Sequence, residues 1–136
     1  MPNYDRKLLI IDDDSGIRDQ LKWIFDDFDV YTADNRLNAL ATLEKYHPSV
    51  VTLDLGLPPD KEGESEGFAI LNQIMQIAPE TKVIIVSGSE NPSNADNAAK
   101  SGAFEYCSKP IQIEQLKLII ECAYRAYISK TVRNYD

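Results

Sequence analysis

The chain has 136 residues, 43 % of them hydrophobic and 26 % charged, a composition that suits one compact water-soluble domain with a real core. No apolar run reaches the length of a membrane span, and the opening MPNYDRK lacks a signal-peptide pattern, so the expected setting is the cytoplasm. A formal net charge of -8 argues against direct nucleic-acid binding by this domain, because phosphate neutralisation needs clustered Lys and Arg.

Lys7 to Ile11, KLLII, reads as a buried strand that runs straight into Asp12, Asp13 and Asp14, with Ser15 placed to cap a helix. Ile17, Leu21, Ile24, Phe25 and Phe28 then share one helical face, and Trp23 falls on the opposite one. Val30 to Ala33 is a short second strand. Leu37, Leu40, Ala41, Leu43 and Tyr46 outline a second helix that stops at His47-Pro48, where the only histidine reads as a solvated turn residue. Ser49 to Leu53 is rich in β-branched and apolar residues, a strand buried on both faces, and it ends on Asp54 before Leu-Gly-Leu-Pro-Pro forces a loop. Taken alone, Asp54 reads as a turn cap.

The acidic stretch Asp60 to Gly67, DKEGESEG, reads as a mobile, solvated connection. Phe68, Ile70, Leu71, Ile74, Met75 and Ile77 form a third helix, and Lys82 to Val86 a fourth buried strand ending on Ser87-Gly88-Ser89. A fourth helix, about 93–101 and opened by Asn91-Pro92, buries only Ala95, Ala98 and Ala99 and should be the least anchored. Phe104 to Cys107 is a fifth strand, closed by Ser108-Lys109-Pro110. The last helix runs from about Ile113 past Ile128, with Leu116, Ile119, Ile120, Ala123 and Tyr127 facing inward. Cys107 and Cys122 sit in apolar patterns without metal-ligand spacing and read as two buried free thiols of a reducing compartment.

Five alternations of strand and helix specify an α/β fold, with parallel strands, right-handed crossovers and helices on both faces. Ligands of such sheets collect outside the carboxyl ends of the strands. There the chain places Asp12 and Asp13 after strand one, Asp54 after strand three, Ser87 after strand four and Lys109 after strand five. Two charges ~4 Å apart repel by about 4 kcal/mol at an effective dielectric near 20, so converging carboxylates stay ionised only beside a cation. Oxygen ligands at the rim of water suit Mg²⁺, which keeps its own waters and accepts a phosphate oxygen. Metal, ammonium and hydroxyl around one carboxylate are the parts needed to place a phosphoryl group on Asp54.

With LLIIDDD, TLDLGLP, VIIVSGS and GAFEYCSKP in these places, the chain resembles the receiver domain of two-component response regulators from Lys7 to about Tyr127. The resemblance implies a flavodoxin-like three-layer sandwich with strand order 2-1-3-4-5. Asp54 would be the phosphoacceptor for a phosphohistidine of a sensor histidine kinase. Asp12, Asp13, Asp54 and the Gly56 carbonyl would hold Mg²⁺, Ser87 and Lys109 would contact the phosphoryl oxygens, and the Lys109-Pro110 bond would be cis. Tyr106 matches the aromatic that turns inward when Ser87 is drawn to the phosphate, and it reads equally as a half-buried strand tyrosine. The domain would be a stoichiometric signal carrier that assists its own phosphorylation, not a turnover enzyme. It would dimerise through helix four, strand five and helix five, or release an attached module.

The wording LDLGLPPD, an acidic loop and SEGF is most similar to receivers heading PEP-CTERM-box response regulators. That resemblance implies missing AAA+ and DNA-binding output domains of the sigma-54-activating kind, with residues 1–128 as the receiver and 129–136 as a helical extension or linker. Tyr124, Ile128 and Tyr135 near one stripe fit such a helix, and a fraying terminus fits them as well. Two departures bear on the site. Gly56 supplies no side chain beside the acceptor, which also argues against a haloacid-dehalogenase-type phosphatase, whose second acid would stand there. The loop from Pro59 to Glu66 is several residues longer than the family norm. A flavin carrier is disfavoured because no phosphate-cradling loop follows strand one, and the intact acids and lysine disfavour a phosphate-independent interaction module.

Overall fold

The computed structural model describes the backbone of residues 6–135 and the side chains of residues 6–129. Five strands, β1 (Lys7–Ile11), β2 (Asp29–Ala33), β3 (Val50–Leu53), β4 (Lys82–Ser87) and β5 (Glu105–Ser108), alternate with α1 (Ser15–Ile24), α2 (Arg36–Tyr46), α3 (Ser65–Ile77), α4 (Asn94–Lys100) and α5 (Ile113–Tyr135). All strand pairs are parallel, in the order β2-β1-β3-β4-β5. This is the expected flavodoxin-like arrangement. Alternate residues of each strand face opposite layers. Leu9, Ile11, Val51 and Leu53 pack with Leu43, Ile70, Leu71 and Ile74 of α2 and α3, while Leu8, Ile10 and Val50 pack with Leu21, Leu116 and Ile120 of α1 and α5.

The helices start and stop for local reasons, some of them other than the sequence suggested. Asp14, not Ser15, caps α1, its carboxylate accepting from the Gly16 and Ile17 N–H groups at 2.8 and 3.3 Å. α1 ends at Ile24, so the buried Phe25 and Phe28 close the layer from the turn that follows it. Trp23 is 82 % exposed, on the outer face as expected. On α2 the buried residues are Ala39 and Leu43, whereas Leu37 is 81 % exposed and Ala41 is also exposed. The i, i+4 pair 39/43 is the one that lies over β1 and β2, and an alanine there lets the helix approach closely. α4 begins at Asn94, two residues after Pro92, and buries Ala98 and Asn94, leaving Ala95 and Ala99 exposed. His47 adopts a left-handed conformation (φ 51°) as the C-cap of α2.

The stretch 60–67 is not wholly a solvated loop. α3 starts at Ser65, and Glu66 and Gly67 are buried. Glu66, 7 % exposed, accepts a two-pronged hydrogen bond from Arg36 at the start of α2, which offsets its desolvation. A Cβ on Gly67 would overlap the Leu55 backbone, so only glycine lets α3 press this close to the end of β3. Gly67→Ala is expected to cost about 2–3 kcal/mol, read as a lower urea midpoint with an unchanged slope.

α5 runs unbroken through residue 128. Tyr124, expected on a stripe leading away from the domain, belongs to the core: its ring meets Phe28 edge-on at 5.7 Å and lies under the Arg6 guanidinium at 4.6 Å. The side chain of Tyr135 lies outside the described residues. The thiols are less hidden than expected, with Cys107 half-buried and Cys122 exposed. Among the described residues no helix is long and apolar enough to cross a membrane.

Candidate functional site

The parallel register builds the site. Ile11 of β1 pairs with Leu53 of β3, so the next residue on each strand, Asp12 and Asp54, emerges side by side at the carboxyl edge. Backbone bonds hold both: the Asp54 N–H donates to the Ile11 carbonyl at 2.9 Å, and the Asp12 N–H to the Ala33 carbonyl at 3.1 Å. Ser87 ends β4, and the Lys109 N–H donates to its carbonyl at 2.8 Å, which delivers the lysine from β5 to the same edge. The Lys109-Pro110 peptide bond is cis, as the resemblance implied, and Pro58-Pro59 is cis as well.

Carboxylate oxygens of Asp12, Asp13 and Asp54 lie within 4.8 Å of one another. Asp12 and Asp54 are 4 % and 7 % exposed, so their charges are largely withdrawn from water. Lys109 Nζ stands 3.1 Å from Asp12 Oδ2 and 3.6 Å from Asp54 Oδ2. The Gly56 N–H donates to Asp54 Oδ1 at 3.2 Å. Burial first, then the Asp12 charge, push the Asp54 carboxyl above the usual carboxylate range, against the opposing pull of Lys109 and the Gly56 N–H. Burial works to lower the Lys109 ammonium, but Asp12 and Asp54 outweigh it and hold that pKa above the ordinary lysine value. Even with two ammonium groups beside them, Lys109 at Asp12 and Asp54 and Lys61 at Asp13, the three carboxylates keep a net negative charge in a hard-oxygen donor set open to water on one side. That chemistry fits Mg²⁺, with Asp12, Asp13 and Asp54 as the residues to hold it.

Asp54, Gly56, Ser87 and Lys109 line one cleft of about 460 Å³. Ser87 is buried and its Oγ accepts from the Ser89 N–H at 3.1 Å. Tyr106 is not part of this cleft. It sits on β5 against α4 with its hydroxyl buried and without a hydrogen-bond partner among the described residues. The cleft's outer wall is Lys61, Glu62 and Gly63, from the stretch read as mobile. Lys61 Nζ reaches Asp13 Oδ2 at 3.2 Å, and Glu64 accepts from Ser89 Oγ and Asn91 Nδ2 at 3.3 and 3.1 Å. Sequence reasoning passed over both residues, and the one signal that marked them was a lysine and acids following a strand-end carboxylate.

Residues 8–121 match the response regulator receiver domain. The chain belongs to this family. The receiver is 30 % identical over 119 residues to the regulatory protein AtoC of Escherichia coli, covering 86 % of this chain and 25 % of AtoC. It is 35 % identical over 120 residues to the chemotaxis protein CheY of Listeria monocytogenes, covering 86 % of this chain and 97 % of CheY. The chain therefore spans a quarter of one relative and nearly all of another. Among solved structures, NtrX from Brucella abortus superimposes with a TM-score of 0.83 at 29 % identity, over 96 % of this receiver and 30 % of NtrX. The receiver domain from Clostridium thermocellum does so with a TM-score of 0.79 at 32 % identity, over 88 % and 94 %.

Proposed function

We propose that this receiver is a phosphorylation-driven switch in which Asp54 accepts a phosphoryl group from a phosphohistidine of a sensor histidine kinase. The observation that carries the reading is the position of the Asp54 carboxylate, 3.6 Å from the Lys109 ammonium and beside the Asp12 and Asp13 carboxylates. An Asp54 oxygen attacks phosphorus, the O–P bond forms, the P–N bond breaks, and the imidazole leaves with a proton from solvent. Asp12, Asp13, Asp54 and the Gly56 carbonyl would hold Mg²⁺, which when bound offsets the charge of the carboxylates and of a phosphoryl oxygen. Lys109 orients the carboxylate and then neutralises a second phosphoryl oxygen, and the Ser87 hydroxyl donates to a third. The domain thus assists a stoichiometric transfer to itself.

The acyl phosphate shifts the domain because its oxygens bind Lys109 and Ser87 better in one conformation than in the other. Ser87 leaving the Ser89 N–H loosens the turn before α4, and Tyr106, whose buried hydroxyl has no partner among the described residues, is the side chain positioned to respond. The α4–β5–α5 face then dimerises or releases an output module. In a longer protein that module would be an AAA+ and DNA-binding unit, an assignment supported by the resemblance to PEP-CTERM-box regulators. Light-scattering mass with and without Mg²⁺ and beryllofluoride, a phosphoryl mimic, tests the reading. The mass is expected to double only when both are present, with faster amide exchange in α4; no change in either quantity would rule out the switch.

A further inference from the structure

We infer that Lys61 is a tethered competitor for the divalent cation, an internal counter-ion that occupies Asp13 until metal displaces it. The inference rests on the metal reading of the site and goes beyond it, since Lys61 belongs to the lengthened β3–α3 loop and to none of the motifs that define the cleft.

The loop around Lys61 is braced at several points. The Asp60 carboxylate accepts from the Ser65 N–H and hydroxyl, and the Asp60 carbonyl accepts from the Gly63 N–H. Glu64 ties the loop across the cleft to Ser89 and Asn91. The Lys61 carbonyl lies over Gly56, so close that a Cβ there would come within 2.7 Å of it. The absence of a side chain at Gly56 is therefore what admits the loop. The backbone of Lys61 is thus placed while its stem stays free, and the side chain is 64 % exposed. The ammonium nonetheless reaches Asp13 Oδ2 at 3.2 Å.

The two lysines divide the cluster. Lys109 takes Asp12 and Asp54 from the β5 side, and Lys61 takes Asp13 from the loop side. Lys109 is embedded, with 22 % of its side chain exposed, and its partners are nearly buried. Lys61 is the displaceable one, because an exposed ion pair is worth little and its stem has open solvent to enter. A dication arriving at the three carboxylates meets an ammonium already on one of them. It has to break that pair, and it is repelled by the same charge.

Removing Lys61 is therefore expected to tighten Mg²⁺ binding, the opposite of what loss of a structural brace or a ligand would do. Calorimetric titration with Mg²⁺ alone, at low ionic strength, compares the wild-type domain with Lys61→Ala and Lys61→Arg. Lys61→Ala should bind Mg²⁺ about three- to tenfold more tightly, and Lys61→Arg, which keeps the charge, within about twofold of wild type. Affinity in Lys61→Ala equal to or below wild type would overturn the inference while leaving the metal site standing. So would equal tightening in both variants, because charge would then not be the cause. Mg²⁺ failing to bind even the wild-type domain would overturn both this inference and the metal reading on which it rests.

Discussion

Asp54→Asn is expected to abolish labelling of the domain by acetyl phosphate in the presence of Mg²⁺, with no residual signal from Asp12 or Asp13. The amide is isosteric, so the fold and the Gly56 N–H contact have an oxygen to rest on, but it carries no anionic oxygen to attack phosphorus. The other two acids are held differently. Asp12 Oδ1 accepts from the Asp14 N–H at 2.9 Å and its Oδ2 meets Lys109, while Asp13 stands farther out toward Lys61. The substitution has a second, independent signature. The carboxyl pKa is raised in the folded domain by burial and by Asp12. The folded state thus holds that proton more tightly than the unfolded chain, and stability falls as pH rises from below the ordinary carboxylate range through the raised value. Above that raised value the whole of the cost is present. Asp54→Asn removes it, so without metal the variant should melt a few degrees higher than wild type. Mg²⁺ should in turn stabilise the wild-type domain more than the variant. Undiminished labelling of Asp54→Asn would refute the acceptor assignment.

Lys109→Ala is expected to separate metal binding from switching. The ammonium is the main described neutraliser of two carboxylates that are 4 % and 7 % exposed, so its loss leaves both short of a partner. Without metal the variant should lose about 2–3 kcal/mol of stability, somewhat less than is usual for breaking a fully buried ion pair because the lysine is partly exposed. Mg²⁺ should restore most of that loss, since the cation takes over the neutralising role, and Mg²⁺ affinity should hold or rise. The response to beryllofluoride should disappear, because among the described residues Lys109 is the cation that lines the cleft from the β5 side. Chemical denaturation and calorimetry with Mg²⁺, followed by light scattering with the mimic, read the three effects separately. A collapse of Mg²⁺ affinity in this variant would mean that Lys109 organises the metal ligands rather than the phosphoryl group.

Much of this was legible in residue order. The runs KLLII, VVTL and KVIIV announce strands buried on both faces, and each hands over at its carboxyl end to a polar residue. In a parallel sheet every such end lies on one edge, so Asp12, Asp54, Ser87 and Lys109 are assigned to a shared site without knowledge of a single contact. Local patterning carries this far because strand ends and turns are determined by neighbours in sequence.

Which apolar side chain of a helix turns inward was less legible. α2 offers Leu37, Leu40, Ala41 and Leu43, and its tilt over β1 and β2 buries Leu43 together with Ala39, keeps Leu40 at the edge of the core and leaves Leu37 and Ala41 exposed. Tyr124 looked like part of an outward stripe until Phe28 and Arg6 closed around it. The loop from Asp60 to Gly67 reads as solvent-exposed because it is charged, yet its charges are spent across the fold. Glu66 meets Arg36 thirty residues away, Glu64 meets Asn91 twenty-seven away, and Lys61 comes back to Asp13. Composition and periodicity report how a residue relates to its own element, and so they determined the sheet, its edge and the acids upon it. Ion pairs between distant elements depend on where folding brings two side chains, and for that reason only the tertiary structure decided that a second lysine stands at the mouth of the site.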